Sequence, residues 1–229
     1  MVTFNLLAFV AAEARELSGI LRHAERVEKL DWPVDFARKV WLNGRVAVLI
    51  ANGPGPKLAG EAVDTLRGKE EITGLVSTGF CGALNPSLQA CDIFVASEVN
   101  GIASSLVSRS AKTGKLLSAD RVASTQSEKS DLRNTGADAI EMEAAAVAQR
   151  ASQWNLPFYC VRVVTDTAAE SFPLDFNRMR GADGRFSRAR ILAAACRRPG
   201  VVFPELIKLN SRCNDAAKAL GDFLAGCRF

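Results

Sequence analysis

Two acidic elements, Glu141-Met142-Glu143 and Thr165-Asp166, stand at either end of one helix-plus-strand unit, AIEMEAAAVAQRASQWNLPFYCVRVVTDTAAE, residues 139–170. The Ala-rich run 143–154 lacks Gly and Pro and predicts a helix that Glu143 opens, with Pro157 marking the break beyond it. There the positive end of the helix dipole favours an ionised carboxylate, suited to accept hydrogen bonds from sugar hydroxyls. FYCVRVV, 158–164, is short, apolar and β-branched, as a buried parallel strand is. Asp166 follows just past its carboxyl end, the edge at which open α/β sheets bind ligands. One carboxylate is thus placed for a sugar and the other for acid chemistry, the lesser alternative being that Asp166 caps a following helical turn. Glu141 is expected to point away from Glu143 and to be structural. Arg162 shares the face of Asp166 by period two and is expected as its ion-pair partner. Lys129, on a polar helix, is expected in solvent.

These residues need a scaffold, and the chain repeats one pattern. Apolar runs at 3–10, 45–51, 72–78 and 92–99 read as strands; the first three lead to Ala11-Ala12-Glu13, Asn52-Gly53-Pro54-Gly55 and Gly79-Phe80-Cys81-Gly82. Helical patterns fall at 56–68, 127–136 and 187–198, and a last helix at 204–227. The alternation predicts a single α/β domain over 1–229 with a mixed, mostly parallel central sheet flanked by helices. Glu13, Gly53, Gly79 and Asp166 would open onto one edge of it. The polar segment 101–118 reads as a loop.

Composition narrows the classes. At 229 residues the chain fits one domain with a full core. Its mean hydropathy of +0.06 is that of a soluble globular protein, and no apolar run approaches the roughly 18 to 20 residues of a membrane span. The apolar start lacks a basic leader and reads as a strand and helix rather than a signal peptide. Six scattered cysteines without a CxxC pair read as reduced thiols of a cytoplasmic protein. The single histidine, His23, is expected on the surface, and its isolation argues against a histidine-rich metal site and a Ser-His-Asp triad. A net charge of +4 is too mild to imply nucleic acid. The basic excess gathers in the segment 178–198, where Arg178, Arg180, Arg185, Arg188, Arg190, Arg197 and Arg198 form either a solvated face or a binding patch.

NGPGPKLAG lacks the order of a phosphate-binding P-loop, TGFCGAL lacks the dinucleotide fingerprint, and no G-x-S-x-G elbow is present. Taken together, however, STGFCGALNPSLQACDIFVASEV, IEMEAAAVA and VRVVTDTA resemble, in order, the Gly-rich turn, the "V-E-M-E-x-A-A-x-A" signature and the "V-R-x-x-S-D" signature of the nucleoside phosphorylase and nucleosidase superfamily. Within it, DLRNTGADAIEMEAAAVA and DFNRMRGADGRF most resemble hopanoid-associated phosphorylases. The resemblance implies cleavage of the N-glycosidic bond of a purine nucleoside, a 5′-substituted adenosine such as adenosylhopane. It implies no metal or organic cofactor, phosphate as co-substrate if the reaction is phosphorolysis, and a homodimer. It gives Asp166 the role of acid toward purine N7 and Glu13 that of orienting or deprotonating the attacking water. Glu143 would bind the ribose hydroxyls and Met142 would pack on the sugar, with Gly79, Phe80, Cys81 and Val122 as further substrate contacts. Such roles fit the bond: cleavage develops positive charge on the sugar and negative charge on the base, so fixed carboxylates help the first and a proton donor the second.

The chain also departs from the family. Phe80 stands where many members carry serine, and Ser77 where hexameric purine phosphorylases carry a phosphate-binding arginine, which tilts the expectation toward hydrolysis. The 99–118 region is short, and Val122 replaces an aromatic that nucleosidases set against the base. A catalytically degenerate nucleoside-binding protein is therefore the alternative. A lipid-linked substrate would make the 178–198 arginines a peripheral membrane contact.

Overall fold

The computed structural model describes residues 6–107 and 109–229. In chain order the strands are β1 (Leu7–Ala11), β2 (Arg26–Lys29), β3 (Phe36–Leu42), β4 (Arg45–Ala51), β5 (Gly74–Ala83), β6 (Ile93–Val99), β7 (Ile102–Ala103), β8 (Lys112–Ser118), β9 (Ala139–Glu141) and β10 (Phe158–Asp166). The helices are α1 (Ser18–Leu21), α2 (Pro56–Leu66), α3 (Gln126–Arg133), α4 (Ala144–Gln153), α5 (Arg188–Arg197) and α6 (Pro199–Ala225), with 3₁₀ turns at Ala14–Leu17 and Phe176–Met179. The expected first strand, 3–10, is seen from Leu7 on; residues 3–5 lie outside the described part.

All the strands join one sheet organised around β5. The long, bent β5 pairs in parallel with β1 on one side and β10 on the other, and its far end turns to meet β9. β10, β6, β8 and β9 continue round from β5 and return to it, so half of the sheet closes on itself while β1, β4, β3 and β2 extend from it as a wing. Five ladders are parallel and five antiparallel. The sheet is thus less parallel than the strand-helix alternation predicted, because β2 to β4 form an antiparallel meander and β10 runs against β6. Within 101–118, Ile102–Ala103 and Lys112–Ser118 are strands where a loop was expected. β8 is held by backbone pairing to β6 and β9, and only Leu116 on it is buried, so it lacks the apolar alternation that would mark a strand.

Two cores cover the two faces. On one, α2 and α4 pack Ala59, Ala62, Val63, Leu66, Val147 and Ala151 against Val48, Leu75, Phe94 and Cys160. On the other, Leu17 and Ile20 of the first turns and Ala216, Leu220 and Phe223 of α6 pack on Phe9, Leu49, Val76 and Val161. There the backbones of Gly19 and Gly221 touch, leaving no room for a Cβ on either residue. α6 begins five residues before the expected 204, with Pro199 in its first turn and Pro204 carried inside it.

Candidate active site

The site is built where β1, β5, β9 and β10 end. Beyond β1 the chain enters the 3₁₀ turn, and Glu16 folds back into it: Oε2 accepts from the N–H groups of Ala12 and Glu13, both at 2.8 Å, and Oε1 from the Phe80 N–H at 2.7 Å. Glu16 is buried. Burial raises its pKa above the ordinary carboxylate value, while the Phe80 and Glu13 N–H groups and Arg162 pull the other way. Glu13, the residue singled out by sequence, lines the same cavity, but its side chain is 55% exposed and lies 3.8 Å from Arg15 Nη2. The inner position belongs to Glu16. Gly79 does not line the cavity; its φ of +134° and its closeness to the Glu16 carboxylate leave no place for a side chain, so Glu16 depends on glycine there.

Glu143 stands at the N-terminal position of α4 as expected, but its side chain makes no cap hydrogen bond; its Oε1 accepts from the Gly55 N–H at 2.8 Å. Glu141 does not point away. Its carboxylate accepts from the Glu143 and Ala144 N–H groups and reaches Arg162 Nη2 at 2.5 Å, while Glu143 Oε2 lies 3.9 Å from Arg162 Nη1. Arg162 is fully buried; it also donates to Ser77 Oγ at 2.6 Å and to the Thr78 carbonyl at 3.0 Å. Burial and the neighbouring Glu141 push Glu143 up to about 8 against the pull of Arg162, so the helix end does not keep it ionised at neutral pH as expected.

Arg162 is therefore the partner of Glu141 and Glu143, not of Asp166. A bulge between Val164 and Asp166 explains the difference: one extra residue on β10 reverses the alternation, so Asp166 leaves the face that Arg162 occupies. Asp166 instead meets Lys129. The lysine is 1% exposed, and its Nζ donates to Asp166 Oδ2 at 2.6 Å and to the carbonyls of Thr167 and Glu170 at 2.7 and 3.1 Å. The expectation of a solvated Lys129 fails because α3 turns this one position inward, under the ring of Phe172 at 5.5 Å. Thr165 Oγ1 lies 2.9 Å from Asp166 Oδ1. Burial raises the pKa of Asp166, and Lys129 and Thr165 oppose the rise.

Asp166, Glu16, Glu141, Glu143 and Met142 share one cavity of about 660 Å³ with Phe80, Cys81 and Val122, within the size range of small-molecule sites. Residues 102–194 match the family model described as Phosphorylase superfamily. Over this stretch the chain resembles that superfamily. The 5′-methylthioadenosine/S-adenosylhomocysteine nucleosidase of Staphylococcus aureus strain JH9 is 25% identical over 170 residues, covering 59% of this chain and 75% of the relative. The crystal structure of the enzyme of that name from Neisseria meningitidis, in complex with methylthio-immucillin-A, superposes with a TM-score of 0.73 at 20% identity, over 96% of this chain and 97% of its own. The native futalosine hydrolase of Helicobacter pylori superposes with a TM-score of 0.71 at 15% identity, over 98% and 97%. The two structural likenesses establish the fold.

The cavity lining mixes acidic and apolar side chains. It joins the carboxylates Glu16, Glu141, Glu143 and Asp166, behind which Arg162 is buried, to the apolar Val122, Phe172, Phe176, Phe186, Ile191 and Leu209, with Arg15, Arg121 and Arg188 also on the wall. Phe176 stacks edge-on to Phe172 and Phe186 at 5.3 and 6.3 Å. Asn177 holds Val122 in place by accepting from its N–H and donating to its carbonyl. The arginine-rich segment is divided: Arg178, Arg180 and Arg185 pair with Asp175, Asp120 and Asp35, Arg188 lines the cavity, and Arg190, Arg197 and Arg198 are exposed. His23 is half-exposed against Asp222, and all six cysteines are free. Among the described residues no cluster of His, Cys, Asp and Glu could hold a metal ion, and no helix is long and apolar enough to cross a membrane.

Proposed function

We propose that the chain hydrolyses the N-glycosidic bond of a purine nucleoside, an adenosine bearing a bulky apolar 5′ substituent, and releases the base. The observation that carries this reading is the meeting of Glu16, Glu143 and Asp166, from three separate elements, in one cavity that apolar side chains also line. Water bonds to ribose C1′ as the bond from C1′ to the base nitrogen breaks. Glu16 takes the water proton, and Asp166 gives its proton to N7 of the departing base. Glu143 holds the ribose hydroxyls, and the negative charge of Glu16 and Glu141 opposes the positive charge growing on the sugar.

Water suits the inner corner better than phosphate does. Glu16, Glu141 and Glu143 surround the guanidinium of Arg162, which is buried behind the lining and already donates to Ser77 and Thr78, so a phosphate anion would face carboxylates at that corner, whereas Arg15, Arg121 and Arg188 line other parts of the wall. The aromatic lining supports a large apolar 5′ group, of which a hopanoid is one example. Outside it, the exposed Leu192, Val201, Phe203 and Ile207 lie on the same two helices as Arg190, Arg197 and Arg198, a combination suited to an anionic membrane that carries such a lipid. Co-sedimentation with anionic vesicles that is unchanged in a variant with Leu192 and Ile207 replaced by Ser and these arginines by Gln would remove the membrane contact.

Adenine release from a panel of 5′-substituted adenosines, with and without phosphate, tests the main reading. Release independent of phosphate is the expected result. Release that requires phosphate makes the chain a phosphorylase, and tight binding without release makes it a non-catalytic nucleoside binder.

A further inference from the structure

Asp166 has two oxygens in different surroundings. Oδ2 takes a hydrogen bond from a buried ammonium, and Oδ1 faces the hydroxyl of Thr165, which also lies 3.2 Å from the Cys81 carbonyl. The ammonium is itself fixed, since its two remaining protons go to the Thr167 and Glu170 carbonyls. We propose that Lys129 is a positioning residue for the acid step: it locks the Asp166 carboxyl through Oδ2 and leaves Oδ1 as the oxygen that carries the transferable proton. An ammonium has no lone pair, so a proton on Oδ2 would point at another proton donor. A proton on Oδ1 meets no such conflict, because the Thr165 hydroxyl turns to donate to the Cys81 carbonyl.

The other charged or titratable groups around Asp166 do not supply this contact. Glu170, in the turn after β10, is paired with Arg212 of α6 at 2.9 Å, and Arg212 reaches the Thr165 carbonyl, not the Asp166 carboxyl. Cys81 of β5 and Cys213 of α6 are both held in the thiol form, since burial raises their pKa. Among the described residues, Lys129 is the cation bonded to Asp166. Removing it takes away an attraction that favours the carboxylate, so Asp166 should then keep its proton to higher pH.

The inference rests on the acid role proposed for Asp166, and its test is arranged to separate the two. The titration of Asp166 is followed by NMR of protein labelled at the aspartate side-chain carboxyl carbons, with Asp166→Asn to assign the signal, in the unsubstituted chain, Lys129→Met and Lys129→Arg. Lys129→Gln, which keeps a donor for the two carbonyls, is the second neutral variant should Met not fold. The midpoint is expected to rise by about one pH unit or more in the neutral variants and to stay near its original place in Lys129→Arg. In kinetics with the best 5′-substituted adenosine, the alkaline limb of kcat should move up in parallel. At the optimum kcat should fall by about tenfold to a hundredfold through misplacement of the acid, with KM within about threefold. A midpoint and alkaline limb unmoved in both neutral variants would overturn the role of Lys129, as would an unchanged kcat. A chain that releases no adenine, yet shows the shifted midpoint, would refute the hydrolase reading and keep the contact between Lys129 and Asp166.

Discussion

Replacement of Glu143 by Gln is expected to make the folded chain more stable at neutral pH, although it removes a functional group. Burial and Glu141 hold the Glu143 carboxyl protonated up to about 8, against an ordinary value of 4.5. Between those values the unfolded chain releases this proton and the folded chain keeps it, so stability falls as pH rises through the window, by about 1.4 kcal/mol per pH unit. At pH 7 the cost to the unsubstituted chain is about 3 kcal/mol. Gln has the shape of the protonated acid, and its amide oxygen can still accept from the Gly55 N–H. Glu16 and Asp166, whose pKa values burial also raises, are present in both proteins, so their contributions largely cancel in the comparison. Urea unfolding at several pH values is the assay. The two proteins should be equally stable near pH 4, and the variant should gain progressively to about 3 kcal/mol by pH 7. Parallel stability profiles across that range would refute a proton held on Glu143. Turnover should meanwhile drop by roughly tenfold, since the amide nitrogen cannot accept a hydrogen bond from a ribose hydroxyl as a carboxyl oxygen does.

The remaining expectations concern the acid, the base and the buried cation. Glu16→Gln should lower kcat by about 10² to 10⁴, whereas Glu13→Gln should cost less than about tenfold; the reverse order in adenine release would return the base role to Glu13. Asp166→Asn should abolish release while leaving the circular dichroism spectrum in place. The pH profile of kcat/KM should be bell-shaped with its limbs above the ordinary carboxylate range, since burial raises the pKa of both Glu16 and Asp166. A profile flat from pH 4 to pH 9 would contradict both assignments, given the ordinary values of about 4 for free carboxylates. Arg162→Met leaves Glu141 and Glu143 without a cation in the interior and should destabilise the fold by about 3 to 5 kcal/mol in urea unfolding.

Sequence made the central unit legible because its signals are local. The Ala-rich helix, the β-branched strand and the residues that follow them occur within one stretch, and Glu143 and Asp166 reach the same cavity. The partners of these acids were not legible. Period-two reasoning assigned Arg162 to Asp166, and a single bulge, which leaves no mark in residue type, cancelled it. Lys129 stands among solvent-facing polar residues, and only the docking of α3 beneath Phe172 distinguishes it from them. Glu13 and Glu16 are three positions apart on one turn; what separates them is the N–H of Phe80, 64 residues away, which binds Glu16. β2, every residue of which is exposed, and β8 were missed because their order comes from backbone pairing, with little apolar burial to announce it.

The bare contact of Gly19 with Gly221 joins the beginning of the molecule to its end. The turn that presents Glu16 rests on the same long rod whose earlier residues, Leu209 and Cys213, help to wall the chamber. Clipping the last two dozen residues would therefore do more than unroof the compartment for the substrate's tail. It would also take away the buttress that keeps the Glu16 carboxylate seated, so loss of adenine release together with loss of substrate binding is the expected outcome.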